Sequence, residues 1–185
     1  MSWSEIERSL WQWVHSASGL EEREVIWAEQ SGARPSGTLF TLKILDVVPL
    51  GAFDELLTTY NASESTSQVK QSVRGQRQFT LRVQYFGDES TGEGAAFARL
   101  AQVAAHLRLP SVRALFDAAG CAVNSVGQVQ NISTVQGTAF ESRAVLDVVF
   151  STVVSVDEYA GFIETIETES FLGPPDSGTA DEIDI

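Results

Sequence analysis

The sequence predicts a single α+β domain in which two helices pack on one face of an antiparallel sheet. Residues 76–86 and 139–156 alternate between apolar and polar side chains, which is the period of a half-buried strand. Residues 2–18 and 93–108 repeat their apolar side chains every three or four positions, which is the period of a helix. Because strands and helices are grouped along the chain instead of alternating, the sheet is expected to be antiparallel.

Length and composition limit the classes of protein to which the chain can belong. The 185 residues suit one domain, expected over residues 1–172, followed by a flexible acidic tail over residues 173–185. No apolar run approaches the roughly 20 residues of a membrane span, and no signal peptide is recognisable after Met1. A single cysteine, Cys121, excludes an internal disulfide, so we expect folding in a reducing cytoplasm.

The charge is strongly negative and unevenly distributed. Twelve Lys and Arg residues against 25 Asp and Glu residues give a net charge of −13, and ten of the acids follow Arg143, the last basic residue. Affinity for nucleic acid comes mostly from neutralised phosphates, and the sequence offers no basic stripe to supply it. A role in gripping DNA is therefore disfavoured.

The N-terminal segment, residues 2–18, is predicted to be a helix with recognisable ends. Ser2 and Ser4 each precede a glutamate by three residues, the spacing of a capping box, and Gly19 suits the C-terminal end. The predicted buried stripe consists of Ile6, Leu10, Trp13 and Ala17.

Three tryptophans, Trp3, Trp11 and Trp13, crowd this first helix. Core packing of an amphipathic helix is the favoured explanation. The alternative is a subunit interface, since the centres of such surfaces are enriched in tryptophan. All three are therefore candidate interface residues.

The strands form the second set of predictions. They are expected at residues 25–28, 38–48, 66–74, 76–86 and 139–156, with a loop over residues 49–65 and a return toward strand over residues 121–136. Gly75 is expected to be the turn of a hairpin whose first, polar strand projects from the domain. This hairpin is basic in an otherwise acidic chain, so Lys70, Arg74 and Arg77 are predicted to contact acidic patches of a neighbouring subunit.

Two helices are predicted between the hairpin and the last strand. The first, residues 93–108, follows a capping box formed by Ser90 and Glu93, and the second, residues 110–119, begins at Pro110. The apolar stripe predicted for the first of them consists of Phe97, Leu100, Ala101, Ala104 and Leu107. The strand residues expected in the core beside it are Phe79, Leu81, Val83, Tyr85, Leu146, Val148 and Phe150.

No catalytic, cofactor-binding or metal-binding residues are predicted. Gly87 and Gly92 have the spacing of a phosphate-binding loop, but Glu93 follows where such a loop needs lysine. His15 and His106 stand on different predicted helices without a second ligand at metal-binding spacing. An enzyme is therefore the least favoured class.

Three segments carry a resemblance to a known family. They are residues 25–30 ahead of Arg34 and Pro35, residues 77–87, and residues 140–150, with a helix between the second and the third. In this order they resemble the phage neck terminator family, which is similar in fold to the tail-terminator and tail-completion proteins of long-tailed phages. The resemblance covers roughly residues 20–165 and contains no catalytic motif.

The resemblance implies a structural virion protein without a cofactor or an active site. Such a protein forms a ring, commonly of six copies, that terminates the tail tube and joins it to the head-side connector. The expected partners are other copies of the chain, the tail tube protein and the connector, while the genome DNA passes through without specific binding. The protein would be made in the host cytoplasm, end in the neck of the virion and meet no membrane.

Two alternatives stay open at this point. The chain could be another ring component of the particle, such as a tail tube subunit or a head-completion protein. It could also be an acidic intracellular binding or inhibitor protein that acts as a monomer. Oligomeric mass separates the ring proteins from the monomer.

Overall fold

The computed structural model describes residues 2–29, 37–61, 68–87, 94–136 and 139–160. The helices are α1 (Trp3–Ser18), α2 (Ala95–His106) and α3 (Pro110–Ala118), with a short 3-10 turn at Glu22–Glu24. The strands are β1 (Val25–Trp27), β2 (Leu39–Asn61), β3 (Gln68–Phe86), β4 (Cys121–Val126), β5 (Gln130–Asn131), β6 (Thr134–Gln136), β7 (Ala139–Glu141) and β8 (Arg143–Ala160). The predicted α+β class is therefore confirmed.

The main sheet has the strand order β1-β2-β3-β8-β4, and β5 pairs with the start of β8. All of its pairings are antiparallel except that of β1 with β2, which is parallel. The prediction of a purely antiparallel sheet is therefore wrong at this edge. Alternation of side chains reports which face of a strand is buried, but it does not report the direction of the neighbouring strand.

The long strands correct two further predictions. Residues 49–61 belong to β2 and not to a loop, and Gly75 lies inside β3, paired with Val154, and not at a turn. The hairpin is therefore formed by β2 and β3. Two irregularities in β2, between Ile44 and Asp46 and between Leu50 and Glu55, shift its side chains from face to face and hide the alternation in the sequence.

The core lies between the helices and one face of the sheet. All seven strand residues predicted for it are buried, and Leu100 of α2 packs among them. Phe97, which was also predicted there, is 48% exposed. The buried stripe of α2 is rotated relative to the prediction and consists of Ala96, Leu100, Val103 and Leu107.

The ends of the helices follow local sequence signals. Glu5 accepts a hydrogen bond from the backbone N–H of Ser2 (3.0 Å), and Gly19 takes a left-handed conformation with φ of 66° at the end of α1. This confirms the predicted N-terminal helix and its stripe. Pro110 occupies the first turn of α3, as predicted. The proposed capping box of Ser90 and Glu93 and the tail over residues 173–185 lie outside the described residues.

Candidate assembly surface

The three central strands continue well beyond the helices. Aromatic contacts of α1 and α3 with the sheet reach Phe79 of β3 and Phe150 of β8, where the apolar residues are fully buried. We call the part beyond them the arm, and define it as residues 55–61 of β2, 68–76 of β3 and 153–160 of β8. Several apolar side chains of the arm are exposed, among them Leu56, Val73 and Val156.

Both outer edges of the arm are unpaired among the described residues. The partner of β2 on its outer side is β1, which pairs with residues 40–42 and goes no further. The partner of β8 on its outer side is β4, whose pairing ends at Thr152. A strand edge of this kind presents a row of unpaired backbone N–H and C=O groups, which other chains can pair with.

One face of the arm carries an exposed apolar row. Leu56 pairs with Val73, which pairs with Val156, so the three side chains stand side by side across the three strands. They are 62%, 41% and 63% exposed, respectively. Leu56 lies in a stretch that the sequence pattern assigned to a loop, so the prediction missed this row.

The opposite face of the arm carries polar side chains that pair with one another, beside the exposed Tyr159 and Val153. Lys70 Nζ lies 2.7 Å from Asp157 Oδ2, and the Ser72 hydroxyl donates to Asp157 Oδ1 at 2.7 Å. The hydrogen bond from Lys70, together with that from Ser72, lowers the pKa of Asp157 below its ordinary value of 3.8, and the same bond to Asp157 raises the pKa of Lys70. Lys70 is thus engaged within its own chain.

A bulge in β2 marks the boundary between body and arm. Gly51 opens it with a φ of 99°, in the left-handed region that favours glycine, and Asp54 turns back toward β3. Arg77 Nη1 donates to Asp54 Oδ1 at 2.7 Å, and Nη2 donates to Oδ2. The hydrogen bond from Arg77 lowers the pKa of the Asp54 carboxyl.

The three predicted basic interface residues are therefore in different situations. Lys70 and Arg77 form ion pairs within the chain. Arg74 is exposed and forms no ion pair with any described residue, so it alone keeps its charge available to a neighbour. Its place in a subunit interface stays a prediction.

The three predicted interface tryptophans also differ in how much of each side chain is exposed. Trp13 is completely buried against Phe116 and Phe150, so its ring has no exposed surface in the single chain, and its place in a subunit interface stays a prediction. Trp11 is partly buried, and its indole N–H donates to the Val25 carbonyl at 2.7 Å. Trp3 is 36% exposed, so it can reach a partner, although its ring also packs edge-on against Phe79.

The described part of the chain offers little for catalysis or metal binding. It contains no group of three or more His, Cys, Asp and Glu residues that could hold a metal ion. Burial raises the pKa of the Cys121 thiol to about 11, so it is a poor nucleophile at neutral pH. No described helix is long and apolar enough to cross a bilayer.

These features define a class of protein: an α+β domain whose sheet extends into an arm with edges that are unpaired among the described residues. The chain belongs to the phage neck terminator protein family, whose profile matches residues 4–173. It is accordingly a structural, tail-terminating protein of a bacteriophage virion. No curated protein matches the sequence.

Among solved structures, the chain is similar to the sheath/tube terminator of PVC, an extracellular contractile injection system, in its extended state. The two are 10% identical, and their TM-score is 0.49. The match covers 94% of this chain and 66% of that protein, so the chain spans about two thirds of its length.

Proposed function

We propose that this protein forms a closed ring at the head–tail junction, where it ends the tail tube and joins it to the head-side connector. The observation that carries the proposal is the arm, which leaves one unpaired strand edge on each of its sides among the described residues. Family membership supplies the location in the neck of the particle.

A ring would explain why the arm has two unpaired strand edges among the described residues. Long exposed edges pair indiscriminately unless something covers them. In a head-to-tail contact, one surface of a copy meets a different surface of the next copy. Repetition of this contact closes a ring if the rotation from copy to copy divides a full turn. In a closed ring of six copies each arm edge has a neighbouring copy beside it, and the two faces of the ring remain for the tail tube protein and the connector.

Native mass spectrometry of the full-length protein tests the proposal. We expect one closed species of six copies, obtained either directly or after addition of tail tubes that lack a terminator. Leu56→Asp, in the apolar row of the arm, should reduce assembly because it places a charge in the buried contact. Phe97→Asp is the matched control, since this exposed residue lies on α2 and outside the arm.

Two results would overturn the proposal. One is a wild-type chain that stays monomeric both alone and with tail tubes. The other is assembly that is weakened equally by Leu56→Asp and Phe97→Asp, because this would place the contact outside the arm.

A further inference from the structure

We infer that the outer edge of β8 in one copy pairs in parallel with the outer edge of β2 in the next copy, which joins the arms into one continuous sheet. The inference rests on the proposed ring and names the strands that close it. The partner is thus a second copy of this chain. Its parallel direction differs from the antiparallel pairings of β3 with β2 and with β8 inside one copy.

The direction follows from topology. Strand β3 lies between β2 and β8 and is antiparallel to both, so β2 and β8 run in the same direction, from the body toward the arm. Copies related by rotation have arms that make the same angle with the ring axis, so arms that run along the axis all point toward the same face of the ring. When such arms meet side by side, β8 of one copy meets β2 of the next copy, and the two strands are parallel.

The available edge lengths match. Beyond its bulge, β2 is regular from Glu55 to Asn61, and the free part of β8 extends from Val153 to Ala160. Pro49, which cannot donate a backbone hydrogen bond, stands in β2 on the body side of the bulge. Proline is confined to sheet edges, so its presence fits a strand whose body part stays at the edge while the arm part is paired.

The side chains at the two edges also match. Leu56 and Val156 occupy the two ends of the apolar row, and each is more than 60% exposed. In the continuous sheet the Val156 end of one row lies next to the Leu56 end of the following row. The contact therefore brings two exposed apolar side chains together and removes part of their surface from water.

The size of the contact explains why a ring is expected and an isolated pair is not. The shorter edge, seven residues of β2, is about 23 Å long, and with a sheet about 10 Å thick the contact buries on the order of 500 Å² over both copies. Stable interfaces need about 1,000 Å² or more. A pair of copies makes one such contact, whereas each copy in a closed ring makes two.

Disulfide scanning tests the pairing. Thr58→Cys is combined in the full-length chain with a cysteine at each position of 153–159 in turn. Thr58 shares its face of the arm with Val154, Val156 and Glu158. We therefore expect covalent oligomers from even-numbered positions near the true register and none from odd-numbered ones, because successive side chains of a strand point to opposite faces.

The design excludes links within one chain. Residues 58 and 158 are separated by β3, so their Cα atoms lie about 9.6 Å apart, beyond the roughly 7 Å limit of a disulfide. The native Cys121 is buried, and the wild-type protein serves as the control for its reactivity. A disulfide formed by Thr58→Cys alone would show that β2 pairs with β2 of another copy, and one formed by Glu158→Cys alone would show that β8 pairs with β8. A disulfide formed only in a mixture of the two single variants would show that β2 of one copy pairs with β8 of another.

Each outcome decides the matter. Heterologous links with the even-numbered pattern support the inference. A ring in native mass spectra with no β2–β8 link at any position overturns the inference and leaves the proposed function standing. Links formed by Thr58→Cys alone overturn it in favour of β2–β2 pairing. Absence of any ring overturns the proposed function, and the inference with it.

Discussion

The carboxylate of Asp54 lies directly over the backbone of Gly75, where a side chain would otherwise stand. A Cβ added to Gly75 would fall well inside van der Waals contact with Asp54 Oδ1 and with Arg77 Nη1. Because Gly75 has no side chain, the Asp54 carboxylate can lie against its backbone and form the ion pair with Arg77 that holds the bulge of β2.

Gly75→Ala should consequently have opposite effects in two backgrounds. In the wild-type chain it displaces the Asp54 carboxylate, so we expect a lower Tm. In an Asp54→Ala chain the methyl group meets no carboxylate and the guanidinium of Arg77, freed from its ion pair, can move aside. The Tm should then rise because alanine loses less backbone entropy than glycine. Thermal melts followed by circular dichroism measure both, and an identical shift in the two backgrounds would contradict this explanation.

Gly127→Ala is the comparison for that experiment. The nearest atom to a Cβ at Gly127 is the main-chain oxygen of Asp147, at 2.7 Å, and a backbone atom in the middle of β8 cannot move aside as a carboxylate can. We expect Gly127→Ala to lower the Tm whether or not Asp54 is present.

The tryptophans of α1 should differ sharply in their contribution to stability. Trp13→Ala removes a fully buried ring, and we expect the free energy of unfolding to fall by about 3–5 kcal/mol. Trp3→Ala removes a partly exposed ring and should cost much less. Urea denaturation followed by far-UV circular dichroism gives both values. Equal losses would mean that the assignment of Trp13 to the core is wrong.

The Lys70–Asp157 pair should make stability depend on pH in the acidic range. Because the folded pKa of Asp157 is lower than its ordinary value of 3.8, its contribution is present above that value and is lost as the pH falls through the folded pKa. The Tm difference between wild type and Asp157→Asn should therefore be present at neutral pH and disappear in strong acid. A difference that is constant over this range would show that the charge of Asp157 has no part in it.

The protein should show no measurable binding to duplex DNA at moderate salt. A net charge of −13 per chain repels phosphate within about 10 Å at about 0.1 M salt, so we expect no stable phosphate contacts. In the proposed ring this would favour passage of the genome, because every phosphate contact would retard it. A gel shift at physiological salt, by the single chain or by the ring, would refute the prediction.

The elements that were predicted correctly are those whose buried face follows from a single repeating pattern in the local sequence. The stripe of α1 and the alternation of residues 144–150 in β8 each follow from burial against one core, and both are present in the structure. Phe97 shows the limit of this rule. In the alanine-rich helix α2 two overlapping stripes are possible, and packing selects the one through Val103.

The arm could not be predicted because its determinants are not local. Glycine inside a polar stretch usually marks a turn, and nothing near Gly75 in the sequence indicates that Asp54 fills the space above it. The bulge before Glu55 likewise interrupts the alternation of a strand that continues to Asn61. For the candidate assembly surface, the sequence therefore indicated the projecting basic segment and missed the second strand that accompanies it.

The unbroken run of β3 from Gln68 to Phe86 has a mechanical consequence. Its 19 residues span about 60 Å, and β2 and β8 are hydrogen-bonded to it on both sides over most of that length. No break in the pairing interrupts β3, so we expect body and arm to move as one rigid unit. A load applied at the tip of the arm would turn the helical layer through the same angle, and in the proposed ring a change of diameter would require whole subunits to tilt.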